Sequence, residues 1–242
     1  MAKKVTITYK GNGGKGSAYK QKVVPDTSVK LKANKFKRAG YVFVGWSTTK
    51  AGKKKYSTKK KVKIKADITL YAIWRKMTLA EAAKIVYTKV YKAKLPHRHH
   101  RKLKVATKIQ NIKKGYSVTC NSTASMSLQQ ICCLKPGKLV RHTKSNKRAK
   151  GSKISTYMTG RGNLIGCNVY YVNKKFSKLP KKYKPKTGAV YIYDSNAATY
   201  SGDGKHIWSC NTNSYYTTKG SVFRKSGYCF TSPIKVVILP RY

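Results

Sequence analysis

A chain of 242 residues, 40% of them hydrophobic, is long enough for one large domain or two smaller ones with a packed core. No run of about 18 apolar residues occurs, which excludes a membrane-spanning helix. Fifty-five lysines and arginines stand against five acids, a formal net charge of +50, so the surface must attract polyanions: nucleic acid, anionic lipid or an anionic cell-wall polymer. Residues 1–75 carry 21 basic and 2 acidic side chains, and residues 76–242 carry 34 and 3. The charge is therefore a property of the whole surface and not of a tail, and solubility with a bias towards lysine would give the same balance.

The chain opens on Met1-Ala2-Lys3-Lys4-Val5-Thr6-Ile7, which alternates like a strand and lacks the apolar core of a secretion signal. A protein working outside the cell would then leave by another route, or would have lost a leader. Residues 3–75 read as β structure: Val5–Tyr9, Ala18–Val24, Ser28–Leu31, Tyr41–Trp46, Val62–Lys65 and Thr69–Trp74, with Gly11-Asn12-Gly13-Gly14 as a turn. Trp46, Trp74, Tyr41, Phe43 and Tyr71 supply enough aromatic area to hold a small sheet together, and they read as core rather than as a ligand platform.

The segments Gly40-Tyr41-Val42-Phe43-Val44-Gly45-Trp46 and Thr69-Leu70-Tyr71-Ala72-Ile73-Trp74, with Gly52 and Tyr56 between them, resemble the Listeria–Bacteroides repeat. The resemblance covers roughly residues 3–75 and implies a small β-grasp-like domain of the kind found in surface and secreted proteins. The lysine load, including Lys53-Lys54-Lys55 and Lys59-Lys60-Lys61, departs from the family.

Residues 76–93 read as a helix, with Thr78 and Glu81 as a capping box and Leu79, Ala82, Ala83, Val86, Tyr87 and Val90 as the apolar stripe. Pro96 ends it. His97, His99 and His100 are close enough to share a metal, but Arg98 and Arg101 among them favour a solvated basic loop. Residues 76–100 thus lead into a domain over 101–242. A second helix is expected over Lys102–Lys113, and a third over Ser122–Leu134. Residues 141–162 read as a long loop or lid. Beyond them lie strands at Val169–Val172, Gly188–Tyr193, His206–Cys210, Ser214–Thr218 and Ile234–Leu239, expected to form an antiparallel sheet. Helices followed by strands make an α+β arrangement.

The six cysteines, Cys120, Cys132, Cys133, Cys167, Cys210 and Cys229, include no C-x-x-C pair, so no structural zinc site is expected, and most read as small buried hydrophobes. Cys120 differs. It lies in the polar turn Gly115–Ser122 before a helix, and His206, 86 residues later, opens a strand. A helix N-terminus and an imidazole both lower a thiol pKa, and the thiolate is the nucleophile. Taken separately, Cys120 reads as a buried thiol and His206 as a surface histidine; in this order and context they read as a catalytic pair. Cys132 and Cys133 fall within an expected helix, Cys210 shares a strand with His206, and His142 sits in a basic loop.

The turn at Cys120-Asn121-Ser122, the strand Pro185-Lys186-Thr187-Gly188-Ala189-Val190-Tyr191 and the strand Gly204-Lys205-His206-Ile207-Trp208 resemble the NlpC/P60 and CHAP groups of papain-like cell-wall hydrolases. The resemblance covers roughly residues 78–242. It implies a papain-like fold with Cys120 as nucleophile, His206 as general base, backbone N–H groups near Cys120 as oxyanion donors, and a third polar residue to orient the imidazole. Thr218 lies at about the family's spacing, and Asn211 and Asn213 are nearer. Thr119 and Ala189 stand where the family often has acids.

The expected function is a peptidoglycan or pseudomurein endopeptidase or amidase, needing no cofactor or metal, at the cell wall or outside the cell, with an anionic wall polymer as substrate or anchor. Release by a phage holin or maturation of a secreted autolysin would both suit such an enzyme. One alternative is a non-catalytic wall-binding protein on a degenerate hydrolase fold. Another is a nucleic-acid-binding protein, for which lysine-rich charge without a recognition motif predicts only non-specific, salt-sensitive binding.

Overall fold

The computed structural model describes residues 4–53, 56–57, 61–95, 103–140, 164–194, 196–204, 207–209 and 232–242. The chain forms two compact units, Met1–Met77 and Thr78–Tyr242, and the architecture is α+β.

The first unit, over its described residues, is all β: β1 (Val5–Lys10), β2 (Tyr19–Val23), β3 (Ser28–Lys30), β4 (Tyr41–Ser47), β5 (Lys61–Lys63) and β6 (Ile68–Lys76). The main sheet runs β2-β1-β6-β4, with β1 and β6 parallel and the other pairs antiparallel, while β3 and β5 form a separate ribbon. Alternation along β1 sends Ile7 and Tyr9 inward, where they meet Trp46, Leu70, Ala72 and Phe36. Trp46 and Tyr9 are fully buried, with ring centroids 4.9 Å apart, and Phe43 meets Trp46 at 4.8 Å. Trp46 is thus core, and Phe43 and Trp74 pack against it partly buried; Tyr41 and Tyr71, expected in the core, are only half-buried and lie outside that cluster, Tyr41 under the Arg38 guanidinium. The glycine turn has a packing reason. A Cβ on Gly14 would come within 2.6 Å of the Trp74 ring, whose Nε1 donates to the Gly11 carbonyl at 2.9 Å.

The second unit carries α1 (Leu79–Lys92), β7 (Lys104–Val105), β8 (Tyr116–Ser117), α2 (Cys120–Gln130), β9 (Cys167–Lys174), β10 (Ala189–Ile192), β11 (Ala197–Tyr200), β12 (Ile207–Trp208) and β13 (Ile234–Pro240). The five-stranded sheet runs β12-β11-β10-β13-β9 and is antiparallel throughout. Helices α1 and α2 cover one face. The other carries Tyr191, Tyr200, Ala198 and Val237, packed against Phe176 and Leu179. Helix α1 has the predicted cap and stripe: Thr78 Oγ1 accepts from the Glu81 N–H at 3.2 Å, the Glu81 carboxylate accepts from the Thr78 N–H at 3.0 Å, and the six expected residues are buried. That stripe packs inside the second unit, against Ala106, Val118, Met126 and Trp208.

Three expectations change. The helix over 102–113 is replaced, among its described residues, by β7 and a single 3-10 turn at Ile109–Asn111. β7 pairs in parallel with β8, and the Ala106 N–H donates to the Ser117 carbonyl at 2.8 Å, so tertiary pairing overrides a weak periodicity. The helix expected over 122–134 begins earlier, at Cys120, and stops at Gln130. Cys132 then sits at φ +60°, left-handed and exposed, and so is neither mid-helix nor buried. β11 was not anticipated; Ala197-Ala198-Thr199-Tyr200 is too short and too rich in alanine to read as a strand. The expected lid over 141–162, the histidines at 97, 99, 100 and 142, and the strand Ser214–Thr218 lie outside the described residues.

Candidate active site

Cys120 is the first residue of α2. Thr119 is the N-cap; its hydroxyl accepts from the Ser122 N–H at 3.1 Å, and the Ser122 hydroxyl accepts from the Thr119 N–H at 2.9 Å. This reciprocal box leaves the first N–H groups of the helix free to face the thiol. The Cys120 Sγ donates to Asn121 Oδ1 at 3.3 Å, and the Ala197 N–H donates to Asn196 Oδ1 at 2.9 Å. Cys120 is buried, 8% exposed.

Two effects oppose each other at the thiol. Burial is the larger and pushes the Cys120 thiol up, because a thiolate loses its hydration; the dipoles of the nearby backbone pull it down. A helix terminus and an imidazole would both lower it, which is the value the sequence predicts. Among the described groups desolvation wins, so a nucleophilic Cys120 requires a cationic partner to be poised at neutral pH.

The helix reaches the sheet because its buried face is small. Ser122, Thr123, Ala124, Ser125 and Ser127 are all buried. Their hydroxyls return to the helix backbone, Thr123 to Thr119 and Cys120, Ser125 to Asn121, Ser127 to Thr123. Satisfied in this way, short polar side chains can be buried at little cost. They let α2 lie close over Ala197 and bring the thiol to the start of β11.

Beside that point Asn196 Nδ2 donates to Ser209 Oγ at 2.9 Å, and both residues are buried. The Asn196–Ser209 pair couples β11 to the end of β12 next to the thiol, and sequence reasoning missed it. Its only trace is two polar residues flanking short apolar runs. β12 itself is anchored by Trp208, which stacks on Tyr87 of α1 with centroids 5.4 Å apart and whose carbonyl accepts from Tyr87 Oη at 3.2 Å. Tyr200 pairs with Ile207, the first residue of β12. Ile207 therefore lies three residues along β11 from Ala197, roughly 10 Å at strand spacing. His206, Thr218, Asn213 and Asn211 lie outside the described residues, so of the four predicted catalytic residues Cys120 alone is positioned here.

The comparisons bear on the first unit. The family model described as the Listeria-Bacteroides repeat domain matches residues 6–73, from β1 into β6. Residues 6–73 are a Listeria-Bacteroides repeat domain. The aromatic segments that carried the resemblance form β4 and β6 of this repeat, which pair with each other through Phe43 and Trp74. No curated protein matches the chain, and no hydrolase family match supports the resemblance of the second unit. No group of three or more metal-ligating side chains gathers among the described residues, and no helix among them is long and apolar enough to cross a membrane.

Proposed function

We propose that the second unit is a papain-like cysteine hydrolase of the NlpC/P60 or CHAP type, cutting amide bonds in cell-wall peptides, and that the repeat is a β-grasp-like domain attached to it. The observation that carries the reading is Cys120 as first residue of α2, at the end of the helix where its N–H groups begin, with α2 packed on an antiparallel sheet. Those N–H groups are suited to a tetrahedral oxyanion formed when the thiolate attacks a carbonyl. His206 is the proposed base, and Thr218 or Asn213 the proposed orienting residue, with Asn196 and Ser209 supporting the strand edge. Acyl-enzyme chemistry of this kind needs no cofactor. The basic surface would concentrate the protein on anionic wall polymers, outside the cell or at the wall.

Iodoacetamide labelling at pH 6 with peptide mapping, beside a turbidity assay on purified walls, tests it. Selective alkylation of Cys120, lost in His206→Ala together with lysis, is the expected result. Labelling of Cys120 no faster than that of Cys132 would remove the catalytic reading. A second reading, a non-catalytic wall-binding protein, draws on two observations: burial pushes the Cys120 thiol up, and β12 begins about 10 Å along the sheet from Ala197.

A further inference from the structure

Away from Cys120, two other cysteines meet. Cys133 follows the C-terminal end of α2 and is buried; Cys167 opens β9 and is partly buried. Cys133 belongs to the apolar cluster against which Cys167 packs, and the Cys167 thiol donates to the Ile165 carbonyl at 3.6 Å. The chain holds them there from both sides. The Cys133 N–H donates to the Leu128 carbonyl at 2.9 Å, and the Cys133 carbonyl accepts from the Ile165 N–H at 2.9 Å. Leu134 bridges to Leu164, Cys167 pairs with Pro240, and the Arg241 N–H donates to the Gly166 carbonyl at 2.7 Å. Both are free cysteines. The neighbouring Cys132, at φ +60°, faces solvent instead.

We propose that Cys133 and Cys167 are a redox pair that closes to a disulfide, with a small-molecule disulfide such as oxidised glutathione as the oxidant. One thiolate attacks a sulfur of the oxidant, forming a mixed disulfide and expelling the first reduced thiol. The second thiolate then attacks the protein sulfur and expels the other. Two S–H bonds and the oxidant's S–S bond are lost. One protein S–S bond forms, and the two protons leave on two molecules of reduced thiol. Cys167 is the more accessible of the two and makes the first attack. The neighbouring Cys133 first, and then burial, push the Cys167 thiol up, and the charge of Arg241 opposes them only in part. The bond ties the end of α2, the helix that begins at Cys120, to the edge strand β9. It would fix the nucleophile's helix against the sheet in an oxidising setting and release it in a reducing one. The pairing stands apart from the hydrolase reading, since neither of its readouts involves lysis.

The test treats the full chain with oxidised glutathione or with dithiothreitol, alkylates the remaining thiols, and maps peptides by mass spectrometry. The expected product is a cross-linked peptide pair joining Cys133 to Cys167, formed also in Cys132→Ser and absent in Cys167→Ser. The oxidised protein should melt on the order of 10 °C above the reduced one, because the bond closes a long loop of the unfolded chain. Cross-linking of either cysteine to Cys132, or both cysteines recovered separately alkylated after oxidation, would overturn the proposal. Mapping the wild-type chain decides this even if a variant misfolds.

Discussion

The two units solve the same problem, a sheet that must be covered, with opposite side chains. The repeat uses large ones: Tyr9, Trp46, Phe36 and Phe43 interlock at centroid distances of 4.8 to 6.3 Å. The second unit sets small ones where α2 crosses β11, with Ala124 against Ala197 and a row of serines and threonine bonded back onto their own helix. Large rings stabilise through area and need only to be inside. Small residues contribute less area but fix a distance, and that distance brings Cys120 to the strand. One core holds a domain together; the other positions an atom.

This contrast can be broken from either side. The largest effect is on chemistry. Cys120→Ala should lower lysis of purified walls by at least about 1,000-fold while leaving wall binding and the melting curve nearly unchanged. Retained lysis would return Cys120 to the role of a packing residue. Next comes the repeat's core. Trp46→Ala should destabilise it by about 3–5 kcal/mol, seen as loss of near-ultraviolet circular dichroism at lower denaturant. The Trp46 Nε1 proton has no partner among the described residues, so Trp46→Phe should cost less than half as much.

The α2–β11 contact gives a smaller and more pointed effect. Valine is the better strand former, yet Ala197→Val should cost about 1–3 kcal/mol, because the added methyl groups must push α2 away. The same change should alter the alkylation rate of Cys120. If Ala197→Val is neutral in denaturant melts, the close approach is not what holds the thiol.

The smallest effect compares the units by pH. Burial first, then the charge of a neighbouring tyrosine, pushes Tyr19 of the repeat up to about 12, against the Lys35 N–H. Burial likewise pushes Tyr242 of the second unit up to about 12, against the Leu79 N–H that donates to its oxygen at 2.6 Å. A tyrosine near 10 in the unfolded chain then binds its proton more tightly when folded. The stability it contributes is fully present below about pH 10 and lost as pH rises to about 12. Melting temperatures should fall across that window, and Tyr19→Phe or Tyr242→Phe should each flatten the decline.

Much of the repeat was legible because its information is local. Alternation in Val5–Tyr9 and Thr69–Trp74 names the strands, and the glycine cluster names the turn. Helix α1 was legible for the same reason: its cap is Thr78 and Glu81, and its stripe has a single period. By contrast, the segment around Ile109 has apolar residues near helical spacing, but pairing of β7 with β8 takes its backbone, and no local pattern reports a partner twelve residues away.

The sequence by itself determined the charge, the aromatic repeat, the first helix and the candidacy of Cys120, since each depends on residue type and near-neighbour spacing. The tertiary structure decided that Cys120 begins its helix, that this helix packs on the strand opening at Ala197, that Asn196 and Ser209 meet there, and that Cys133 comes near Cys167. Those facts depend on how closely a helix can approach a strand. That is set by the volumes of side chains far apart in the chain, and burial there outweighs the helix terminus in setting the thiol's acidity.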